Sequence, residues 1–206
     1  MSGNNDVPTR AIQAALLLHT ATPTWGLFSR QTTIAYPRSE LEALLLDKFP
    51  VLESASVQTQ VLAHKAHVVV VERKPYAHWC TGTISGVKKC FNIDSTGYIF
   101  EETTTKQPLT FFGGINEDRG TIIRQSVAPE YFADIVVFIN ELDALGLNVV
   151  HVTLNNADGV FTFDTDDGWE LRVALDKNLG ATAFNLSAIL DQYALREELP
   201  RVQYID

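Results

Sequence analysis

A chain of 206 residues is long enough for one large domain or two small ones. Its 46% apolar and 20% charged residues are those of a globular protein and exclude disorder, a collagen-like repeat or a coiled coil as the main architecture. A net charge of −9 and a pI near 5.0 argue against a nucleic-acid binder, which needs a basic face for phosphate. The longest apolar runs, Ala14–Leu18 and Val68–Val71, fall well short of the roughly 18 residues that a membrane span requires. Met1–Asp6 has neither the basic region nor the apolar stretch of a signal peptide.

The charge is unevenly distributed. Residues 1–75 hold seven Lys and Arg against six Asp and Glu, a net of +1, whereas residues 76–206 hold nine against nineteen, a net of −10. The change falls at Glu72-Arg73-Lys74-Pro75, where a proline ends regular strand pairing. We read this as a boundary between a domain over 1–75 and a second over 76–206, with no long linker.

In the first part, Asp6 and Pro8 are placed to start a helix, Pro8 at its first position and Asp6 as its cap or dipole partner. Ile12, Ala15 and Leu16 give it an apolar stripe to about His19, and Pro23 breaks it. Residues 24–36 are irregular. A second helix follows Pro37, with Leu41, Leu44, Leu45 and Phe49 at helical spacing, and ends at Pro50. Val51–Gln58 and Ala66–Glu72 then read as a hairpin, and the Val68–Val71 run predicts a strand covered on both faces or one covered by the two helices.

The second part is rich in strands. Trp79–Thr81 pairs with Val87–Ile93, and Asp94-Ser95-Thr96-Gly97 turns into a strand over Tyr98–Glu101. Pro108–Gly114 and Thr121–Arg124 flank a polar loop. Tyr131, Ile135, Phe138, Ile139 and Leu142 predict a helix capped by Gly146. Val149–Leu154 and Val160–Asp164 form a hairpin through Asp158-Gly159, and Asp166-Asp167-Gly168 turns into a strand over Trp169–Leu175. The periodicity of Leu186, Ile189, Leu190 and Tyr193 predicts a last helix over Asn185–Glu198, before a strand starting at Val202. The fold class expected is α+β: two helices on a small sheet, then a mixed sheet with two helices.

Several local signatures follow one another in a recognisable order. They are Gly3-Asn4 with Val7 before a helix, Phe49-Pro50 with Val51, and Glu72-Arg73-Lys74-Pro75 with Ala77 and Trp79. Asp94, Gly97 and Phe100 in a hairpin come next, then Leu199-Pro200 and Tyr204-Ile205-Asp206. Together they resemble the bacterial cell-division proteins of the FtsQ/DivIB family, whose corresponding patterns are "Phe-Pro-x-(I/V)", "E-R-x-P-x-A-x-W", "D-x-x-G-x-x-F" and the approach to "I-D-L-R". The resemblance implies a POTRA domain over 1–75, joined through Glu72, Arg73, Pro75 and Trp79 to a β domain over 76–206 truncated at its C-terminal strands. It further implies a non-catalytic scaffold of the division machinery. This would be the extracytoplasmic part of a single-pass protein of the cell membrane, with the anchor outside this chain. Its partners would be other membrane-anchored division proteins. They would add to an open sheet edge at Val202, Tyr204 and Ile205. No nucleic acid, small-molecule substrate, cofactor, catalytic residue or metal is expected.

The residues leave other possibilities in view. Cys80 and Cys90 are equidistant from Ser85, so they either form a cross-strand disulfide in oxidised material or remain two reduced, half-buried thiols. His19, His64, His67, His78 and His151 are scattered and read as surface histidines, since a metal site needs three or four ligands. The acidic cluster of Asp158, Asp164, Asp166, Asp167 and Asp176 fails the calcium-loop register, with Gly168 and Leu175 at the fifth and twelfth positions, and reads as turn carboxylates. Trp79, Trp169, Phe111, Phe112, Phe161 and Phe163 read as core. Two alternative functions remain: a POTRA-bearing transport or assembly component, and a hydrolase using the acidic loops. The hydrolase reading requires a pocket lined by at least two of those aspartates.

Overall fold

The structure is a computed structural model. It describes residues 2–3, 5–21, 38–60, 65–116, 120–155, 159–168, 170–174, 179–190 and 204–205. The chain divides into two compact units, Met1–Lys74 and Pro75–Asp206, each with its own apolar core. The fold is α+β.

In the first unit, helices α1 (Thr9–Ala21) and α2 (Arg38–Lys48) accompany an antiparallel pair, β1 (Leu52–Gln60) and β2 (Lys65–Glu72). Ile12, Leu41 and Leu45 bury the helices against Leu52, Val57, Val68 and Val70. Val68 and Val70 are buried while Val71 is 48% exposed, so the valine run alternates and only one face of β2 is covered. The free side of β2 receives Ser2 in a parallel bridge at Val69, with Ser2 N–H to the Val68 carbonyl at 3.2 Å and Val70 N–H to the Ser2 carbonyl at 3.1 Å. Gly3 follows with φ +90°, and a β-carbon there would lie 1.9 Å from the Val70 carbonyl oxygen. Only glycine allows this approach. On the outer side of β1, the Glu42 carboxylate of α2 accepts the Val57 N–H at 2.9 Å.

The second unit is built on one eight-stranded mixed sheet. Its strands are β3 (Ala77–Cys80), β4 (Cys90–Ile93), β5 (Ile99–Thr103), β6 (Thr110–Gly113), β7 (Val149–Asn155), β8 (Val160–Thr165), β9 (Glu170–Ala174) and β10 (Tyr204–Ile205). Their order across the sheet is β10-β9-β8-β7-β6-β3-β4-β5. β3, β6 and β7 run parallel, β10 is parallel to β9, and the other pairs are antiparallel. The parallel step from β6 to β7 requires a crossover. Helix α3 (Phe132–Ala144) supplies it and buries Phe132, Ile135, Phe138, Ile139 and Leu142. Gly146 (φ +83°) ends α3: its N–H bonds the Asp143 carbonyl and Leu147 N–H bonds that of Leu142, a Schellman arrangement. Trp79, Phe111, Val152, Phe161 and Phe163 complete this core.

Helix α4 (Leu179–Leu190) begins six residues earlier than the periodicity predicts. Leu179 and Leu186, seven apart and so on one helical face, are both buried, and this packing carries the helix through Gly180 and up to Asn185, the expected start. Residues 191–198 of the expected helix, and Val202 of the expected strand, lie outside the described residues. Among the described residues no helix is long and apolar enough to cross a membrane.

The turn between β4 and β5 depends on buried Asp94. Its Oδ1 accepts Thr96 N–H at 2.8 Å, the Thr96 hydroxyl at 2.6 Å and Tyr98 N–H at 3.2 Å. Gly97 follows at φ +80°, and a β-carbon there would lie 2.7 Å from the Phe132 ring. Gly97→Ala is therefore expected to destabilise the chain by about 1–3 kcal/mol in urea unfolding. Ser95→Ala, at an exposed position of the same turn, should stay within about 0.5 kcal/mol.

Candidate functional site

Directly paired residues on neighbouring strands point to the same side of a sheet. In the second unit this places a continuous row of polar residues on the side away from the apolar core. Glu101 on β5 pairs with Asn92 on β4, and Asn92 with His78 on β3. His78 pairs with Thr110 on β6, and Thr110 with His151 on β7. His151 pairs with Asp164 on β8, and Asp164 with Glu170 on β9. The row thus runs from β5 to β9, across seven strands of the sheet.

Its members differ in burial and in partners. Asn92 donates to the Glu101 carboxylate at 3.2 Å, and Glu170 holds Arg172 in an ion pair. His78 is only 3% exposed and its Nε2 has no hydrogen-bond partner; the same holds for Asn92 Oδ1 and Asp164 Oδ2. Burial pushes the His78 imidazole below the ordinary histidine range, while the neighbouring Asn92 amide pulls the other way. Burial pushes the Asp164 carboxyl up, Glu170 adds to this, and His151 opposes it.

Beside the row runs a second one, in which Cys90 pairs with Cys80 and Cys80 with Phe112. Cys80 and Cys90 form a disulfide with their α-carbons 4.1 Å apart, the close spacing of a strand pair that exchanges no backbone hydrogen bonds. Over these residues lies a cleft of about 570 Å³, walled by His78, Phe112, His151, the disulfide and the segments Val87–Lys89 and Thr103–Gln107.

Of the histidines read as surface residues, three are buried or half-buried. His78 is buried and His151 half-buried, both in the polar row, because alternation on β3 and β7 turns them away from Trp79 and Val152 toward a face that the cleft walls cover. His19 is half-buried and meets Glu40 at 2.9 Å, joining α1 to α2. His67 is exposed, and His64 lies outside the described residues. Among the described residues no three His, Cys, Asp or Glu are grouped to hold a metal ion. Asp166 and Asp167 are exposed turn residues, Asp166 accepting the Asn148 side chain at 2.7 Å, and none of Asp164, Asp166 and Asp167 lines the cleft. Asp158, Asp176 and Trp169 lie outside the described residues.

The junction residues divide between the units. Trp79 is fully buried on β3, its indole N–H donating to the Gly113 carbonyl at 2.7 Å, and Pro75 precedes that strand. Arg73 is bound to the first unit through its N–H to Val51 and its Nε to the Pro50 carbonyl. Glu72 has a role that local spacing did not reveal. Its carboxylate accepts the N–H groups of Asn5, Asp6 and Val7 at 2.9–3.1 Å, just before α1. Glu72, not Asp6, thus meets the amides leading into this helix, and Pro8 stands one residue before it, with its carbonyl accepting the Ala11 N–H. At the sheet margin, the backbone of Tyr204 and Ile205 pairs with Glu170 and Leu171.

A scan against protein-family models and a search of curated proteins give no match to this chain.

Two measurements check this geometry. Burial raises the Glu72 pKa, but the amides of Asp6, Val7 and Asn5 outweigh it and hold the carboxyl below its ordinary 4.5. A depressed folded pKa gives stability that is fully present above the unfolded value and is lost as pH falls from about 4.5 through the folded pKa. Glu72→Ala should cost on the order of 1 kcal/mol at neutral pH, as for loss of a helix cap, and flatten the acid limb of the stability curve. Removing the disulfide, by Cys80→Ala with Cys90→Ala, should cost roughly 2–3 kcal/mol for so short a loop. Mass spectrometry of alkylated, unreduced protein should find neither thiol free.

Proposed function

We propose that this chain is a non-catalytic scaffold, the extracytoplasmic part of an FtsQ/DivIB-like protein of the division machinery, and that it binds other membrane-anchored division proteins by accepting a strand at its sheet edge. The observation that carries the reading is β10, which closes one end of the eight-stranded sheet. It is held by β9 on one side, and among the described residues no strand pairs with the other. Unpaired N–H and C=O groups there are a template for a partner strand.

The opposite margin suits docking less well. Ile99 of β5 already bonds residues 124 and 125, and β5 carries the exposed acids Glu101 and Glu102, which blunt an edge. The element order of the first unit, in which a single-residue bridge and two helices precede two strands, supports the POTRA part of the reading. A cleft lined by none of the described acidic turn residues favours a scaffold over a hydrolase.

Successive residues in a strand direct their backbone groups to opposite sides. One of Tyr204 and Ile205 therefore faces β9 and the other faces outward. In a surface-binding assay against extracytoplasmic segments of division proteins, Tyr204→Pro and Ile205→Pro should each weaken a bound segment by at least roughly tenfold, about 1.4 kcal/mol. The first or second removes an outward donor, and its companion detaches β10 from β9. Glu102→Lys on β5 should leave binding unchanged. Loss of binding in Glu102→Lys with none in the proline variants would overturn the reading.

A further inference from the structure

The cleft on the sheet face away from the core has a chemistry that a strand-docking scaffold does not use. Residues 76–206 carry a net charge of −10, yet three of their four lysines, Lys88, Lys89 and Lys106, line this one cleft. Lys89 is neutralised by Glu102 at 3.1 Å. Lys88 and Lys106 have no ion-pair partner among the described residues, so two cationic groups stand over one opening.

Beneath them Phe112 and the disulfide give a lining of threonines, histidines and Glu102 its apolar part. Phe112 is 3% exposed and packs its ring 6.0 Å from that of His151, and the Cys80–Cys90 bond fixes the neighbouring strands. The second, independent feature is His78. It is 3% exposed, it forms part of this wall, and its Nε2 has no partner. A buried polar atom left without a partner is a cost to the fold, which a bound group that reaches it recovers. The cleft volume of about 570 Å³ exceeds the needs of a simple ion and matches that of small-molecule sites.

We propose that this cleft binds a small anionic ligand, with its acidic group held by Lys88 and Lys106 and its apolar body lying against Phe112 and the disulfide, within reach of His78. The inference is independent of the edge-strand reading, since none of its residues belongs to β9 or β10.

The test is an NMR titration of the full chain, read at the ring signals of His78 and Phe112. The probes are phenyl phosphate, benzoate and uncharged benzyl alcohol. Saturable shifts are expected with phenyl phosphate, benzoate or both, and the stronger of the two identifies a phosphate or a carboxylate as the natural acidic group. Benzyl alcohol should leave the signals unmoved. Lys88→Gln with Lys106→Gln, both on exposed side chains, should weaken the anion by roughly tenfold or more without changing stability, whereas Lys48→Gln in the first unit should have no effect. Shifts that match those of benzyl alcohol, shifts that survive the double lysine substitution, or no shift with any probe would overturn the proposal.

Discussion

The second unit depends on the parallel registration of β3, β6 and β7 at the centre of its sheet. No tight turn can make such pairings, because parallel neighbours need a connection that crosses the sheet. The crossover here is α3, which is held down by Phe132, Ile135, Phe138, Ile139 and Leu142, each contributing about 1.5–3 kcal/mol on burial. Once this helix is seated, the positions of Trp79, Phe111 and Val152 on the core side are set. Strand alternation then sends His78, Thr110 and His151 to the other face. A shift of one residue would exchange the two sets and bury the histidines under α3. The antiparallel pairs on either flank extend the same register, so one constraint at the centre produces both the cleft over the disulfide and the polar row that reaches β9.

The first unit rests on a different device. Its sheet is small, and its helix α1 begins at a point where the chain has just left the edge of β2. Glu72, the last residue of β2, reaches across to the amides of residues 5–7 and ties the start of the helix to the end of the sheet. Gly3 gives the chain the close approach to Val70 that this route requires. A carboxylate at the end of the last strand thus connects the first and final parts of the unit, which explains why a charged segment lies at this boundary rather than a neutral linker.

Elements set by near neighbours could be read from the sequence. The pairing of Cys80 with Cys90, the Asp94–Gly97 turn and the Gly146 cap each depend on residues fewer than a dozen apart. The start of α4 departs from the periodicity because Gly180 and Asn185 weigh against a helix locally, and burial of Leu179 outweighs them. The same limit hid the polar row. His78, Thr110, His151 and Asp164 span 87 positions of sequence, and nothing in the spacing of any one strand announces that β6 inserts between β3 and β7. The register of β3 with β4 was accessible through the cysteines and would have placed His78 beside Asn92; the parallel pairings were not. Glu72 belongs to a local motif, but its partners lie more than 60 residues away.

Native-state amide hydrogen exchange of the free full chain tests the rigid sheet centre, and the edge-strand proposal with it, most directly. Trp79, Phe111 and Val152 lie on the three central strands and should exchange only through global unfolding, the slowest class in the chain. Tyr204 and Ile205, which among the described residues pair with β9 alone, should exchange far faster through local opening. Protection at Tyr204 and Ile205 equal to that at Val152 would mean that the margin is already covered, and would contradict the account.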